Sequence, residues 1–417
     1  MTLKHLFKTE EGSMSKRAFI NYSIDYPSLS KGDYLALFRE YDEVSKRKYN
    51  FSIYDNYLYI AEITGGKTSG WLNQKKLKKL IAHSGLGLNE LNSLFFDIST
   101  LNREEFRYSE IHTKMLGKLG VKYEQKYYIP QTWFVFENIF NYLAENKKVD
   151  RTEILEEYAQ RLFSDFFGGS NINSNNYDKG RNEQDIIIIL EDTILIIECK
   201  SNNFTKIVDD ASNIEEKLRN TFNSTIQYGA NQCMRAEKYI IGNDPAKYYD
   251  SNKKRERNKI LEISKGNEKK ILKIVVLLND YLNLAESSNQ FLEDKTKEVW
   301  VVNIFALEKI LWNLGSISKF IEYASYRCSN IQTIEAVSSD ELVQFGYFIS
   351  PTFNNFIPQN DKFIAVRAGN NFANWASEYE WIKDCKEFNY WINYQIAKGN
   401  CSKKQIEKDF NIKIIEP

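Results

Sequence analysis

The feature that most constrains this chain is an apolar run that carries charge only at its ends and at its centre. It extends from Asp185 to Lys200, and its two isoleucine-rich halves are separated by Glu191-Asp192. Four consecutive isoleucines in the first half are typical of a strand that is buried on both faces. The run therefore predicts a hairpin of two core strands joined by a two-residue turn, at residues 185–190 and 193–200.

The charged residues of this hairpin are predicted to meet at one place. Successive side chains of a strand alternate between its faces, so Glu198 and Lys200 share a face. If Glu191-Asp192 forms the turn, Asp185 lies directly opposite Glu198 on that same face, with β-carbons roughly 5 Å apart. Two carboxylates and an ammonium group then converge at the end of an otherwise apolar hairpin.

Such a cluster is costly unless something neutralises it, because buried like charges repel and one carboxyl then tends to stay protonated. A divalent cation removes this cost, and Mg²⁺ prefers carboxylates together with retained waters and phosphate oxygens. A bound cation lowers the pKa of a water molecule, while Lys200 is positioned to orient that water or to stabilise charge on a phosphate. We therefore expect Asp185 and Glu198 to bind Mg²⁺, with Mn²⁺ able to substitute. The alternative is a salt-bridged end of a purely structural hairpin.

The spacing Asp-x12-Glu-x-Lys from Asp185 to Lys200 resembles the motif of the PD-(D/E)XK nuclease superfamily, and within it the Mrr-type and nuclease-related-domain (NERD-like) members. Gln184 stands at the position of the motif's Pro, which is often absent from the family. The resemblance covers roughly residues 153–345. It implies an α/β, restriction-endonuclease-like core with a central mixed sheet flanked by helices, and cleavage of DNA that leaves a 5′-phosphate.

In the same family, the helix before the hairpin often supplies a further Glu to the site. The sequence predicts such a helix over residues 152–167, with Thr152 as its N-cap. Glu156 lies at the border of the apolar stripe of this helix, so it is the candidate third metal ligand and catalytic residue. Glu153 and Glu157 are the alternatives, and an ordinary acid on the helix surface is the competing interpretation.

The family also often has a Gln close to the active lysine, on the helix that follows the hairpin. Gln232 resembles that residue and lies in a helical region predicted over residues 209–239, so it is a further candidate catalytic residue. Gln227 is the alternative candidate for this role. A polar helix residue without any role at the site is the competing interpretation of Gln232.

The rest of the chain divides by pattern, and the order of helix, hairpin, helix and two strands fits an α/β core. We predict an N-terminal accessory domain, a nuclease core with a helical extension, and a C-terminal appended subdomain, at residues 1–148, 149–349 and 350–417. Within the core we expect a polar loop at residues 168–181 and a polar, basic segment at residues 247–270. We also expect two further strands at residues 273–278 and 298–305, and three helices at residues 307–314, 317–327 and 339–345.

Composition bounds the classes of partner. The chain has 56 basic and 56 acidic residues, a balance that neither supports nor excludes binding to nucleic acid. Residues 253–273 hold nine basic and three acidic residues, and this segment is predicted either to contact DNA or to form a solvated loop face. Five scattered cysteines and three isolated histidines argue against a disulfide framework or a structural zinc site. Without a membrane-length apolar run or a signal-peptide pattern, the protein is expected in the cytoplasm and not at a membrane.

These observations lead to one expected function and two alternatives. The expected function is Mg²⁺-dependent endonucleolytic cleavage of DNA, with restriction or anti-phage defence as the setting that the resemblance implies. The alternatives are cleavage of RNA, and a non-catalytic nucleic-acid-binding or scaffold subunit that keeps the nuclease fold. The sequence leaves open whether the chain pairs with itself as a homodimer or with a partner protein of a defence system.

Overall fold

A computed structural model describes most of the central chain and short parts of the N-terminal region. The described residues are 70–84, 87–93, 95–97, 118, 120–123, 126–129, 150–202, 214–253, 257–279, 281, 283–286, 288–329 and 341–348. The subdomain predicted at residues 350–417 lies outside them. The chain divides into two compact units, one of which comprises Leu29–Ile154 and the other Met1–Ser28 together with Leu155–Pro417. The domain boundary predicted after residue 148 stays a prediction.

The smaller unit contains a four-stranded sheet. Its elements in chain order are β1 (Gly70–Leu72), α1 (Gln74–Ser84), α2 (Leu88–Ser93), β2 (Phe95–Asp97), β3 (Gly120–Tyr123) and β4 (Lys126–Ile129). The strand order is β1-β4-β3-β2, with β2 and β3 parallel and the other pairs antiparallel. The buried Phe95 and Tyr127 pack edge to face, with ring centroids 5.0 Å apart.

The larger unit is built on a seven-stranded mixed sheet, as the sequence predicted. Its elements in chain order are α3 (Arg151–Phe167), β5 (Ile172–Tyr177), β6 (Glu183–Ile189), β7 (Thr193–Lys200), α4 (Ile214–Phe222), a π-helical turn (Asn223–Gln227), α5 (Tyr228–Gly242), β8 (Ala246–Tyr249), β9 (Lys259–Ile263), β10 (Lys270–Leu277), α6 (Asn283–Glu286), β11 (Val299–Asn303), α7 (Ile304–Leu314), α8 (Ile317–Cys328) and α9 (Glu341–Phe348). The strand order is β11-β10-β7-β6-β5-β8-β9. Strand β10 runs parallel to β7 and β11, and the other pairs are antiparallel.

Helices cover both faces of this sheet. On one face, α5 packs over β7 and β10 in a core that includes Ile187, Ile196 and Cys233. On the other face, α3, α7 and α8 meet in an aromatic cluster in which Phe320 contacts both Phe163 of α3 and Trp300 of β11. The isoleucine-rich strands are buried on both sides, which explains why their sequences show no polar alternation.

One strand was missed, because its sequence does not look like a strand. The segment Ile172–Tyr177 was expected to be part of a polar loop, but it is β5 and pairs antiparallel with β6. Its Asn and Ser residues have low intrinsic strand preference, so tertiary pairing overrides local propensity here. Asn175 has a left-handed φ of 52° and interrupts the ladder at the position that faces Asp185.

Three smaller predictions are also corrected. The basic segment expected between residues 247 and 270 contains most of strand β8 and the edge strand β9. Helix α3 is capped by Asp150, whose carboxylate accepts the backbone N–H of Thr152 at 2.9 Å, so Thr152 is not the cap. Strand β11 ends at Asn303, because this residue caps α7 by accepting the N–H of Phe305. In the described parts of the chain, no helix is both long enough and apolar enough to cross a membrane.

Candidate active site

The hairpin brings its three charged residues together in the predicted register. Ile186 pairs with Ile197, and the pairing continues inward from there to Ile189 and Ile194. The ammonium nitrogen of Lys200 lies 2.7 Å from Glu198 Oε2 and 3.8 Å from Asp185 Oδ2. The predicted convergence of two acids and one lysine is therefore observed.

Asp185 is held in place by the backbone of the neighbouring strand. Its Oδ2 accepts a hydrogen bond from the backbone N–H of Cys199 at 2.7 Å. Cys199 itself points to the opposite face of β7 and is buried there, as the alternation of side chains requires. The carboxylate is thus positioned by a backbone N–H, which remains in place when the Cys199 side chain is substituted.

Burial sets the electrostatics of the acid pair. The Glu198 side chain is 0 % exposed, whereas Asp185 and Lys200 keep 11 % and 13 % of their side-chain surface. Burial raises the pKa of Glu198 to about 8, and repulsion from Asp185 adds to the rise. Burial also raises the pKa of Asp185, although Lys200 acts in the opposite direction. Burial acts to lower the pKa of Lys200, but attraction to the two carboxylates outweighs it and raises that pKa.

One oxygen of this cluster has no partner. Glu198 Oε1 is buried and has no hydrogen-bond partner within the described part of the chain, while Oε2 is occupied by Lys200. A fully buried carboxylate with an unused oxygen is expensive, since burial without a partner forfeits the hydration of that group. This unpartnered oxygen, next to a second carboxylate, is the kind of ligand that a divalent cation requires.

The number of acids at the site also bears on the metal. Among the residues that the structure describes, no group of three or more His, Cys, Asp or Glu side chains is close enough to hold a metal ion. Asp185 and Glu198 therefore form a two-carboxylate site. Mg²⁺ suits such a site, because it commonly binds through one or two carboxylates and keeps waters or phosphate oxygens in its other positions.

Glu156 is not brought into the acid pair. It lies on α3, on the side of the sheet to which Cys199 points, and it is only partly buried. Its charge nevertheless adds to the rise in the pKa of Cys199 and of Tyr177, whose main cause is burial. Glu156 is thus an electrostatic neighbour of the site rather than a member of a three-acid group. Glu153 and Glu157 are likewise outside any such group.

Helix α5 forms a wall over the site. Its first residue, Tyr228, has its ring centroid 5.8 Å from the Lys200 ammonium nitrogen. A Cβ added to the next residue, Gly229, would lie 3.3 Å from Lys200 Cε and 3.2 Å from each methyl carbon of Val275. Glycine at this position therefore lets the lysine pass close to the helix backbone.

The next turns of α5 carry Gln232 and Arg235. The side-chain oxygen of Gln232 is buried and has no hydrogen-bond partner among the described residues. Arg235 donates through Nη2 to the backbone oxygen of Glu183 at 2.9 Å, and its charge acts to lower the pKa of Glu198. Residues 228, 232 and 235 follow helical spacing and so share one face of α5.

Gln227, the alternative candidate, forms hydrogen bonds with a neighbouring loop through both ends of its side-chain amide. Its side-chain nitrogen donates to Thr296 Oγ1 at 3.2 Å, and its side-chain oxygen accepts the backbone N–H of Glu293 at 2.9 Å. It fastens the π-helical turn to a neighbouring loop, so it has no free group to offer the site. Of the two glutamines, only Gln232 keeps an unused polar atom.

Most described cations of the basic segment already contact groups of the protein itself. Arg257 donates to the backbone oxygens of Asp178 and Ser251, and its guanidinium lies 4.4 Å from the centroid of the Tyr249 ring. Other described lysines of the segment contact acids, a hydroxyl or carbonyl oxygens, namely Lys259, Lys265, Lys269, Lys270 and Lys273. Residues 254–256 lie outside the described chain. Direct contact of this segment with DNA stays a prediction.

Sequence reasoning missed two residues that line the site, Tyr228 and Arg235. Both lie at helical spacing from Gln232, so projecting the α5 sequence around Gln232 would have found them. What the sequence could not supply is which face of α5 meets the sheet. Comparison with models of known protein families, with curated proteins and with solved structures finds no match to this chain.

Proposed function

We propose that this protein is a Mg²⁺-dependent nuclease with a restriction-endonuclease-like core, and that it hydrolyses phosphodiester bonds of DNA. The observation that carries the proposal is Glu198, a carboxylate with no exposed surface and one unpartnered oxygen, held between Asp185 and Lys200. A purely structural salt bridge has no need of a second acid at this position, because one lysine neutralises only one carboxylate.

In the proposed site, Asp185 and Glu198 would hold the metal. When bound, Mg²⁺ supplies a Lewis acid that polarises the phosphate and lowers the pKa of a bound water. Asp185 is oriented for this task by the backbone N–H of Cys199. Glu198 has one oxygen available, and the raised pKa of its carboxyl shows that it is uncompensated by protein groups alone.

Lys200 would act on the attacking water and on the phosphate. Its ammonium nitrogen contacts Glu198 at 2.7 Å and lies within 3.8 Å of Asp185, so it remains protonated beside the reacting group. A fixed cation here stabilises the negative charge that builds on the phosphate oxygens, without reorganisation at the moment of reaction. Gln232 has a buried amide oxygen without a partner in the described chain, which would accept a hydrogen bond from the water.

Arg235 adds a second cation near the acid pair. The guanidinium uses one N–H for the backbone oxygen of Glu183, and it has further donors in a planar fork that suits phosphate. Glu156 as an additional metal ligand stays a prediction of the resemblance. So do the 5′-phosphate product, a cytoplasmic location, a role in defence, and assembly as a homodimer or with a partner protein.

The experiment that tests the proposal is a plasmid-nicking assay with and without Mg²⁺. Wild-type protein should nick DNA only with the metal, and Asp185→Asn and Lys200→Ala should abolish nicking. Lys295→Ala, which removes an exposed lysine paired with Glu293 outside the basic segment, is the charge-matched control and should behave as wild type. If all four proteins behave equally and independently of the metal, the nuclease proposal is wrong and a nucleic-acid-binding or scaffold subunit is favoured. Competition between labelled DNA and RNA then assigns the substrate.

A further inference from the structure

An aromatic ring stands exposed next to the proposed catalytic amine. The Tyr228 residue is 54 % exposed, which is unusual for a large side chain in direct contact with a buried polar cluster. Its ring centroid is 5.8 Å from Lys200 Nζ, while the lysine is only 13 % exposed and the acid behind it is 0 % exposed. The ring therefore lies at the boundary between the buried acid pair and solvent.

The structure fixes the backbone that carries this ring from several sides. Tyr228 follows the π-helical turn Asn223–Gln227, a rare conformation that often occurs at functional sites. Two contacts hold the turn: Asn202 donates to Thr225 Oγ1 at 2.8 Å, and Gln227 bridges Thr296 and Glu293. The close packing of Gly229 on Lys200 sets the distance between the helix and the lysine. The backbone position that places the ring beside Lys200 is thus preorganised.

We propose that Tyr228 is a stacking platform for one unpaired base of the strand that is cut, so that the site takes single-stranded or locally unpaired nucleic acid. This inference rests on the proposed nuclease function. Aromatic side chains bind single strands because every base has a π-face, and stacking of this kind tolerates any sequence. Within a duplex both faces of a base are already stacked on its neighbours. A ring fixed beside Lys200 therefore reaches a base face only where the strand is unpaired.

The charges around the ring agree with this assignment. Lys200 and Arg235 are both cations close enough to Glu198 to act on the pKa of its carboxyl, and Tyr228 and Arg235 are seven residues apart on α5, or roughly 10 Å along the helix axis. That length accommodates one nucleotide with its flanking phosphates. Specificity for strand structure would then come from the ring, and affinity for the backbone from the two cations.

The test measures binding with Ca²⁺ in place of Mg²⁺, because Ca²⁺ has the same preference for oxygen ligands and binding is then read without cleavage. Fluorescence anisotropy reports the Kd for a labelled single strand, for its duplex, and for the same single strand with every base removed. We expect Tyr228→Ala to weaken single-strand binding roughly ten-fold and to leave duplex binding unchanged. Tyr228→Phe keeps the ring and should bind as wild type does. Tyr123→Ala, at a tyrosine 47 % exposed in the other unit, is the matched control.

The abasic strand separates stacking from other roles of the ring. Wild type should bind it roughly ten-fold more weakly than the intact strand, and Tyr228→Ala should bind both strands equally, because the base and the ring act as a pair. If Tyr228→Ala weakens single-strand and duplex binding equally, the ring serves only the Lys200 ammonium and the stacking assignment is overturned. If wild type and Tyr228→Ala bind single strands equally, it is overturned as well. If wild type binds no nucleic acid at all, the nuclease proposal itself fails.

Discussion

The larger unit contains two buried clusters of charge that differ in how their carboxylates are satisfied. In the structural cluster, Glu341 of α9 accepts from Trp300 Nε1 at 3.0 Å and from the Tyr323 hydroxyl at 2.7 Å. Arg327 also donates to both of its oxygens, at 3.0 and 2.8 Å. One acid therefore meets one cation and two neutral donors, and both oxygens are used.

At the candidate active site the balance is reversed. Two acids share one ammonium group, and Glu198 keeps a buried oxygen without a partner in the described chain. Folding alone selects for the first arrangement, because unsatisfied buried groups reduce stability. The second arrangement costs stability in the absence of a ligand. The contrast thus separates a charge cluster that holds α9 in place from one that, in our proposal, is completed by a cation.

Substitutions in the two clusters should differ most in their effect on catalytic activity. Lys200→Ala or Asp185→Asn is expected to lower kcat for strand cleavage by at least about a hundred-fold, the scale for loss of one preorganised stabilising group. Glu341→Gln should leave kcat per folded molecule unchanged, because Glu341 contacts only structural partners. Rates are normalised to the folded fraction from circular dichroism. Equal losses of kcat in the Lys200 and Glu341 variants would contradict the distinction.

Stability should respond in the opposite sense. Glu341→Ala leaves the buried Arg327 guanidinium unpaired, and we expect the free energy of unfolding to fall by about 3 kcal/mol or more. Glu198→Gln removes a buried carboxyl whose pKa is raised to about 8, and it should leave the stability of the metal-free protein equal to or above that of wild type at pH 8 and higher, where the carboxyl ionises. Urea denaturation without metal measures both changes. A larger loss for Glu198→Gln than for Glu341→Ala would show that the acid pair is structural.

The pH dependence of stability follows from the pKa of Glu198. Burial raises this pKa from 4.5 to about 8, so the native state holds the proton more tightly than the unfolded chain does. Metal-free wild type should therefore keep this contribution below pH 4.5 and lose it progressively as the pH rises through about 8. Glu198→Gln lacks the titration, so the stability difference between the two proteins should widen with pH. Thermal melts in EDTA across this range test it, and a constant difference would contradict the cause.

Metal binding gives the smallest effect. At a Mg²⁺ concentration ten times its Kd, the metal should stabilise wild type by about 1.4 kcal/mol. The same addition should not stabilise Glu198→Gln, whereas a variant of the structural cluster, Glu341→Gln, should keep the full increase. Differential scanning fluorimetry reads these shifts in Tm. An equal increase in all three proteins would mean that the metal binds somewhere other than at the acid pair.

Sequence reasoning recovered the hairpin because its information is local. Alternation along β7 and a two-residue turn fix which face each side chain occupies, and a slip of one residue would have moved Glu198 to the other side of the sheet. The pairing of Ile186 with Ile197 confirms that register. The two isoleucine strands and the parallel strand β10 were likewise predictable, since their burial demands apolar runs.

What escaped prediction depends on tertiary packing. Strand β5 carries Asn and Ser and exists because β6 offers it a partner. Gln227 and Gln232 look alike in sequence, but the π-helical turn directs the first towards Thr296 and leaves the second near the site. The position of Glu156 depends on how α3 crosses the sheet. No pattern within a single helix specifies such docking.

The location of the acid pair within the sheet has a kinetic consequence. Strands β6 and β7 lie among the middle strands, and Glu198 pairs in register with Val275 of β10, which is far along the chain. Central strands open only with the whole unit, so fraying at the edges does not disassemble the site. A nascent chain that has formed only the hairpin still lacks β10 and α5, and its carboxylates remain hydrated as in any exposed peptide. The assembled acid pair should therefore appear in one step, when synthesis has passed β10 and this strand has paired with β7.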